Sequence, residues 1–208
     1  MRRLLVVGCS LFVLAGAACR TARPTGTPVA PLVATSTEDA MAQLQARRAA
    51  FHGMKSLMRV RATSQGKTQS FRAQLVIHDQ RRMEVVAYTP VGTTAMTMTI
   101  EGDAVKIRNH IEKSDWEGGA RDLPAPWRFL SASFSPADIG MLILGFPLPG
   151  GDRPGYGIMS LGTPAGLQAV QIGIARFDFT PPAFPAKSVL VTAGNDRVEI
   201  EHLEVVAE

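Results

Sequence analysis

The chain is short of the residues from which most catalytic and metal-bound proteins are built. Only two of its 208 residues are cysteines, Cys9 and Cys19, and Cys9 lies inside an apolar N-terminal run. That excludes a disulfide framework. The four histidines, His52, His78, His110 and His202, stand singly, without ligand-like spacing to Asp, Glu or Cys. Each reads as a solvated or locally satisfied surface side chain, and no metal site or cofactor is expected. Gly157-Ile-Met-Ser160-Leu-Gly162 has the wrong spacing for a nucleophile elbow. The glycine-rich stretch 150–157 lacks the Lys-Ser/Thr of a phosphate loop. Asp115 and Glu117 flank Trp116, but nothing else marks them as an acid/base couple, so an enzyme is the weaker reading. Aromatic residues make up 6% of the chain, and no Lys/Arg cluster is interleaved with them. Of the formal net charge of +4, Arg2 and Arg3 contribute two, leaving +2, which gives no footprint for nucleic acid.

The longest apolar run, Leu4 to Gly16, is too short to span a bilayer comfortably. It follows Met1-Arg-Arg3 and leads into Ala15-Gly-Ala-Ala-Cys19. A basic start, an apolar middle and small residues before a cut describe a signal peptide. A cysteine directly after the small residues looks like a bacterial lipobox, with Gly16 where leucine is usual. The resemblance implies cleavage before Cys19 and acylation of its thiol and amine, and several acyl chains on one residue give a stable anchor. Arg20 follows, not aspartate, which favours delivery to the outer membrane, facing the periplasm. The expected layout is a signal peptide at 1–18, a Pro/Thr/Ala-rich flexible tether at 19–36 and a folded domain at 37–208.

The whole chain is 46% hydrophobic and 19% charged, a globular balance. Thr37 is expected to cap a helix, with Glu38 and Asp39 in its first turn, Met41, Leu44, Arg48 and Phe51 at helical spacing, and Gly53 closing it. The pattern then switches to a period of two. Met58, Val60 and Ala62 alternate with Arg59 and Arg61, and Phe71, Ala73, Leu75 and Ile77 alternate with Arg72, Gln74 and His78. Met83, Val85 and Ala87 share one face of the next strand, and Met96, Met98 and Ile100 alternate with Thr97 and Thr99 in the one after it. Val105, Ile107 and Asn109 continue the meander. Strands with one apolar face each build a curved antiparallel sheet over a core. The connection Thr89-Pro-Val-Gly-Thr93 is turn chemistry, yet its tip is Val91, either a tucked-in valine or a contact for a membrane or another protein.

Leu123 to Leu130 reads as a short proline-punctuated helix. Ser135-Pro136 starts another, whose almost wholly apolar run Ile139–Phe146 would plug the mouth of the sheet, stopped by Pro147, Pro149, Gly150 and Gly151. Strands resume after Tyr156, with candidates at 169–180, 187–192 and 197–206 and a hairpin turn at Gly194-Asn-Asp196. The alternation slips near Glu201-His202, where a β-bulge would move the inward set from Val198 and Ile200 to Leu203 and Val205.

Several segments, taken in order, resemble the LolB family of outer-membrane lipoproteins. Thr89-Pro-Val-Gly-Thr-Thr94 is similar to that family's Asn-Pro-Leu-Gly-Ser-Thr. Ile139-Gly-Met-Leu-Ile-Leu-Gly-Phe-Pro147 is similar to its helix ending in Leu-Gly-Leu-Pro, and Pro182-Ala-Phe-Pro-Ala-Lys187 to the approach to its last strands. The resemblance implies an α+β fold, an unclosed antiparallel barrel covered by a few helices around a cavity for acyl chains. It implies a protein that accepts acylated lipoproteins from a periplasmic LolA-like carrier and helps insert them into the outer membrane. Within it Pro90, Val91 and Gly92 would form the membrane-insertion loop, with Val91 where the family has leucine. Met58, Val60, Phe71, Ala73, Leu75, Ile77, Val85, Met96, Met98, Ile100 and Leu142 are the candidate lining of the acyl-chain cavity, though their pattern fits a filled core equally well. A lipid-anchored lipid-binding or envelope-scaffold protein on the same fold, without transfer activity, is the alternative.

Overall fold

The structure, a computed structural model, describes residues 26–119, 122, 136–148, 155–162 and 166–208. Cys19, the segment before Gly26 and the expected helix at 123–130 lie outside them.

Ser36, not Thr37, caps the first helix, α1 (Thr37–Ala49), its hydroxyl accepting from the Asp39 N–H. Both residues are good caps, so the boundary moves by one. The helix closes at Ala50, three residues before Gly53, and it turns Ala40, Leu44 and Arg48 inward. The stretch read as tether is held from its second half onward. Thr27 and Pro28 form a two-residue strand, β1, Leu32 is buried, and the Arg47 guanidinium holds the carbonyls of Ala30 and Pro31 at 2.6 and 3.1 Å.

Six strands follow as an antiparallel meander: β2 (Met54–Ser64), β3 (Lys67–Ile77), β4 (Arg82–Tyr88), β5 (Thr94–Glu101), β6 (Ala104–Asn109) and β7 (Ser114–Gly119). After α2 (Pro136–Ile143) come β8 (Tyr156–Gly162), β9 (Gly166–Ile172), β10 (Ala175–Thr180), β11 (Ser188–Ala193) and β12 (Asp196–Ala207). The sheet runs β7-β6-β5-β4-β3-β2-β12-β11-β10-β9-β8, with β1 beside the end of β12. All its pairings are antiparallel, and β7 and β8 are left as edges, so the sheet is an unclosed barrel.

Several strands differ from the sequence expectation. The stretch 169–180 is a hairpin, β9 and β10, turned at Gly173-Ile174, and β8 precedes it unforeseen. The bulge in β12 falls between His202 and Glu204. It keeps His202 opposite Met58 and Val205 opposite Ser56 on the inner face, while Leu203 is expelled and 39% exposed.

The core lies in the concavity. Helix α2 seats there on β3, β4 and β5 through Ile139, Met141 and Leu142, buried among Ile77, Met83, Ile100 and Val105. Gly140 permits that close approach, because a Cβ there would stand 2.2 Å from Met83 Cε. The helix ends earlier than expected, in a Schellman motif. Gly145 takes φ +95°, its N–H donates to Leu142 O at 2.7 Å, and the Phe146 N–H donates to Met141 O at 3.0 Å. Phe146 then stacks edge-on to Phe51 and against Phe184, closing that end of the core. No helix among the described residues is long and apolar enough to cross a membrane.

Candidate functional site

Antiparallel order places the hairpin turns on two opposite rims. Five of them, at 65–66, 89–93, 110–113, 173–174 and 194–195, share one rim; the turns at 78–81, 102–103 and 181–187 share the other, together with α1, α2 and both described chain ends. The sequence-predicted lining residues sort along this axis. Ile77, Leu75, Ile100 and Leu142, each at most 2% exposed, make a filled floor at the helical end. Ala73, Met58, Met98 and Val60 are buried one or two residues further along their strands. Phe71, Val85 and Met96 are half-buried, and so are Ile107, Trp116 and Val198, which sequence reasoning did not place at the site. The inner face is therefore packed beneath α2 and becomes a half-open apolar wall toward the turn rim and toward the β7 edge, where Val85, Ile107 and Trp116 stand in register with Leu75 and Met98. Its chemistry is narrow: aliphatic, thioether and indole surface, with no acid, base or nucleophile among the residues named. Such a wall holds an apolar group by burial alone.

Buried polar side chains occur where the helices meet the sheet, and among the described residues all are satisfied. His202, read from sequence as a surface residue, is 8% exposed and bridges two elements. Its Nε2 is 3.0 Å from Ile143 O at the end of α2, and its Nδ1 is 2.8 Å from Ser56 Oγ. A carbonyl only accepts, so Nε2 bears the proton and Nδ1 accepts from the serine hydroxyl. Burial pushes the His202 pKa below the ordinary value, a shift opposed by the Ile143 carbonyl, and the ring is held neutral. No signal in the sequence links His202 to Ser56, 146 residues away. Arg48 donates to Pro147 O at 2.7 Å and lies 3.7 Å from the Asp138 carboxylate, fixing α2 to α1. Among the described residues no three His, Cys, Asp or Glu come together as metal ligands.

The loop carrying Pro90, Val91 and Gly92 stands on the turn rim. Thr89 and Thr93 close it, with the Thr89 N–H donating to Thr93 O at 2.8 Å, the Gly92 N–H to Thr89 O at 2.9 Å and the two hydroxyls 2.8 Å apart. Gly92 has φ +86°, which a side chain would strain. Val91 projects from this rigid frame 71% exposed, so it is not the tucked-in residue. On the convex side, clefts are charged instead: one between β2, β11 and β12 is lined by Arg59, Arg61, Lys187, Arg197, Glu199 and Glu201.

No protein-family model and no curated protein matches the sequence. Solved structures do. A domain described as that of an outer membrane lipoprotein-sorting protein from Vibrio parahaemolyticus superposes with a TM-score of 0.53 at 10% identity, over 83% of this chain and 94% of that one. A DUF1329 family protein from Desulfovibrio piger gives 0.49 at 9% identity, over 82% and 91% of the two chains. A LolA superfamily protein from Nitrosomonas europaea gives 0.45 at 5%, over 84% and 94%. At such identities the likeness to the Vibrio domain speaks for the fold alone: among the described residues, an open antiparallel sheet of 12 strands with two helices.

Proposed function

We propose that this protein is an outer-membrane-anchored lipoprotein that receives the acyl chains of other lipoproteins on the rim-side half of its concave face and helps pass them into the membrane. It is a binder and carrier, not an enzyme. The observation that carries the reading is the gradient along the inner face, from a floor filled by α2 to an apolar wall left half-open toward the turn rim and the β7 edge. Phe71, Val85, Met96 and Val60, with Ile107 and Trp116, line the acyl site, and Ile77, Ile100 and Leu142 form its floor. Each methylene buried there is worth about 0.8 kcal/mol, so half of a C16 chain suffices for useful affinity. The likeness to a lipoprotein-sorting domain and the lipobox at Cys19 support the same reading. The donor is a periplasmic LolA-like carrier, and acylated Cys19 supplies the anchor.

The test has two readouts. Full-length protein purified in mild detergent is expected to release co-purified acyl chains or lipoprotein in mass spectrometry, and Phe71→Glu is expected to abolish this while far-UV circular dichroism is kept. In transfer of a labelled lipoprotein from carrier to liposomes, Val91→Glu is expected to leave cargo on the receptor, because a carboxylate must be desolvated to enter the acyl region. Acyl chains retained by a folded Phe71→Glu variant would place the site elsewhere.

A further inference from the structure

Five large hydrophobic side chains are exposed among the described residues: Val33, Val91, Ile111, Ile174 and Leu203. Three of them sit at turn tips, and all three tips are on one rim: Val91 at 71% exposure between β4 and β5, Ile111 at 67% between β6 and β7, and Ile174 at 75% between β9 and β10. Of the described turns of the opposite rim, two carry Asp79-Gln80-Arg81 and Gly102-Asp103, and the third, 181–187, keeps its large apolar side chain, Phe184, buried. The apolar tips are therefore segregated to the end where the concave wall opens.

Each is presented by a turn that its own polar residues hold. Asn109 Oδ1 accepts the N–H groups of Ile111 and Glu112, both at 3.0 Å, and Asn109 Nδ2 donates to Glu112 Oε2 at 2.9 Å. The Gly173 N–H donates to Gly155 O at 2.7 Å, and Gln171 Nε2 donates to Gly173 O at 2.7 Å. The tips lie on separate hairpins with polar residues between them, so they form no continuous patch for a protein partner's apolar surface. A lipid surface is laterally continuous and fluid, and accepts isolated aliphatic points spread along one rim. The rim's charges balance, Lys67 and Lys113 against Glu112 and Asp196, so its contact is apolar, not electrostatic.

We propose that Ile111 and Ile174 act with Val91 as three lipid contacts that seat this rim on a phospholipid bilayer. The proposal rests on the reading of Val91 as a membrane contact and extends it from one loop to a surface. The chain's own cysteines, Cys9 and Cys19, both precede the domain, so single cysteines can be placed at will. Val91→Cys, Ile111→Cys and Ile174→Cys, with Gln80→Cys on the far rim and Leu203→Cys on the convex face as controls, are labelled with an environment-sensitive fluorophore. The full-length proteins are reconstituted in phosphatidylcholine liposomes containing a lipid-borne quencher, with the unsubstituted protein giving the background. The expected result is quenching at all three tips and at neither control, unchanged between about 0.05 and about 0.5 M salt, since apolar contact is not screened. Ile111→Glu with Ile174→Glu should slow delivery of cargo to liposomes by about tenfold or more, as burial of each aliphatic side chain is lost. Quenching at Val91 alone would overturn the three-point contact and leave the single-loop reading standing. Quenching at no tip, with acyl chains still co-purifying, would overturn both rim contacts while sparing the acyl site. Equal quenching at Leu203 would overturn the preferred orientation.

Discussion

Gly140→Ala tests how α2 is seated, and its sign can be worked out beforehand. Within a helix the change from glycine to alanine is favourable by about 0.8–1 kcal/mol. Here the new Cβ would meet Met83 Cε at 2.2 Å and Sδ at 2.9 Å, with Ile77 Cδ1 at 3.5 Å. Carbon atoms prefer about 3.5–4 Å, so the methionine end must shift by more than an ångström. Met83 is 2% exposed and has few places to go. Overpacking of that kind costs about 1–3 kcal/mol, so the net effect is a loss of about 0–2 kcal/mol. Met83→Ala alone should cost about 2–5 kcal/mol through the cavity it leaves. In that background the clash is gone, and Gly140→Ala should stabilise by about 1 kcal/mol. The two substitutions are thus expected to couple by about 1–3 kcal/mol in a double-mutant cycle. Urea unfolding of the four proteins at constant m-value supplies the energies. An equal effect of Gly140→Ala in both backgrounds would refute this seating of α2 on β4.

His202 is neutral in the folded protein with a lowered pKa, so the unfolded chain binds its proton first. Stability should therefore fall as pH drops below about 6.5, by up to about 1.4 kcal/mol per unit until the folded-state pKa is reached, and His202→Asn should flatten that part of the urea-midpoint profile. Arg48→Met leaves Pro147 O without its charged donor and should cost about 1.5–3 kcal/mol, seen as a lower Tm in thermal melts. Cys19→Ser, in cells fractionated by density, should move the protein out of the outer-membrane fraction; an unchanged distribution and mass would dismiss the proposed anchor.

The sheet from β2 to β6 was legible because each strand keeps strict alternation, as in Phe71, Ala73, Leu75 and Ile77 against Arg72 and Gln74. Legibility ended where local rules compete with tertiary ones. β8 was missed because its pairing with β9 slips at Ile158/Ser160 and again at Ser160/Leu161, so it shows no clean period. β9 and β10 read as one strand because Ile174, an apolar residue in a two-residue turn, disguises the connection. At the bulge the slip was visible, but which residue leaves the face depends on His202 being anchored to Ser56 and Ile143 from outside its own strand. Val91 stood out in sequence because Pro90 and Gly92 mark a turn around it. Ile111 and Ile174 did not, since only strand order shows that their turns share its rim.

The strand order also governs when this protein can fold. β2 and β12, the first long strand and the last, are neighbours at the middle of the sheet, and Arg59 pairs with Glu201 across 142 positions of chain. Without β12, the strands β2 to β7 and β8 to β11 are two separate meanders, each with an inner face and nothing to close it. Contacts that distant make assembly slow, because the loop must be closed before they form. A chain emerging from its N-terminus thus holds no finished core until its last dozen residues are present. With the proposed export leader in front of it, the delay would favour passage as an unfolded thread, with the sheet completed only on the far side.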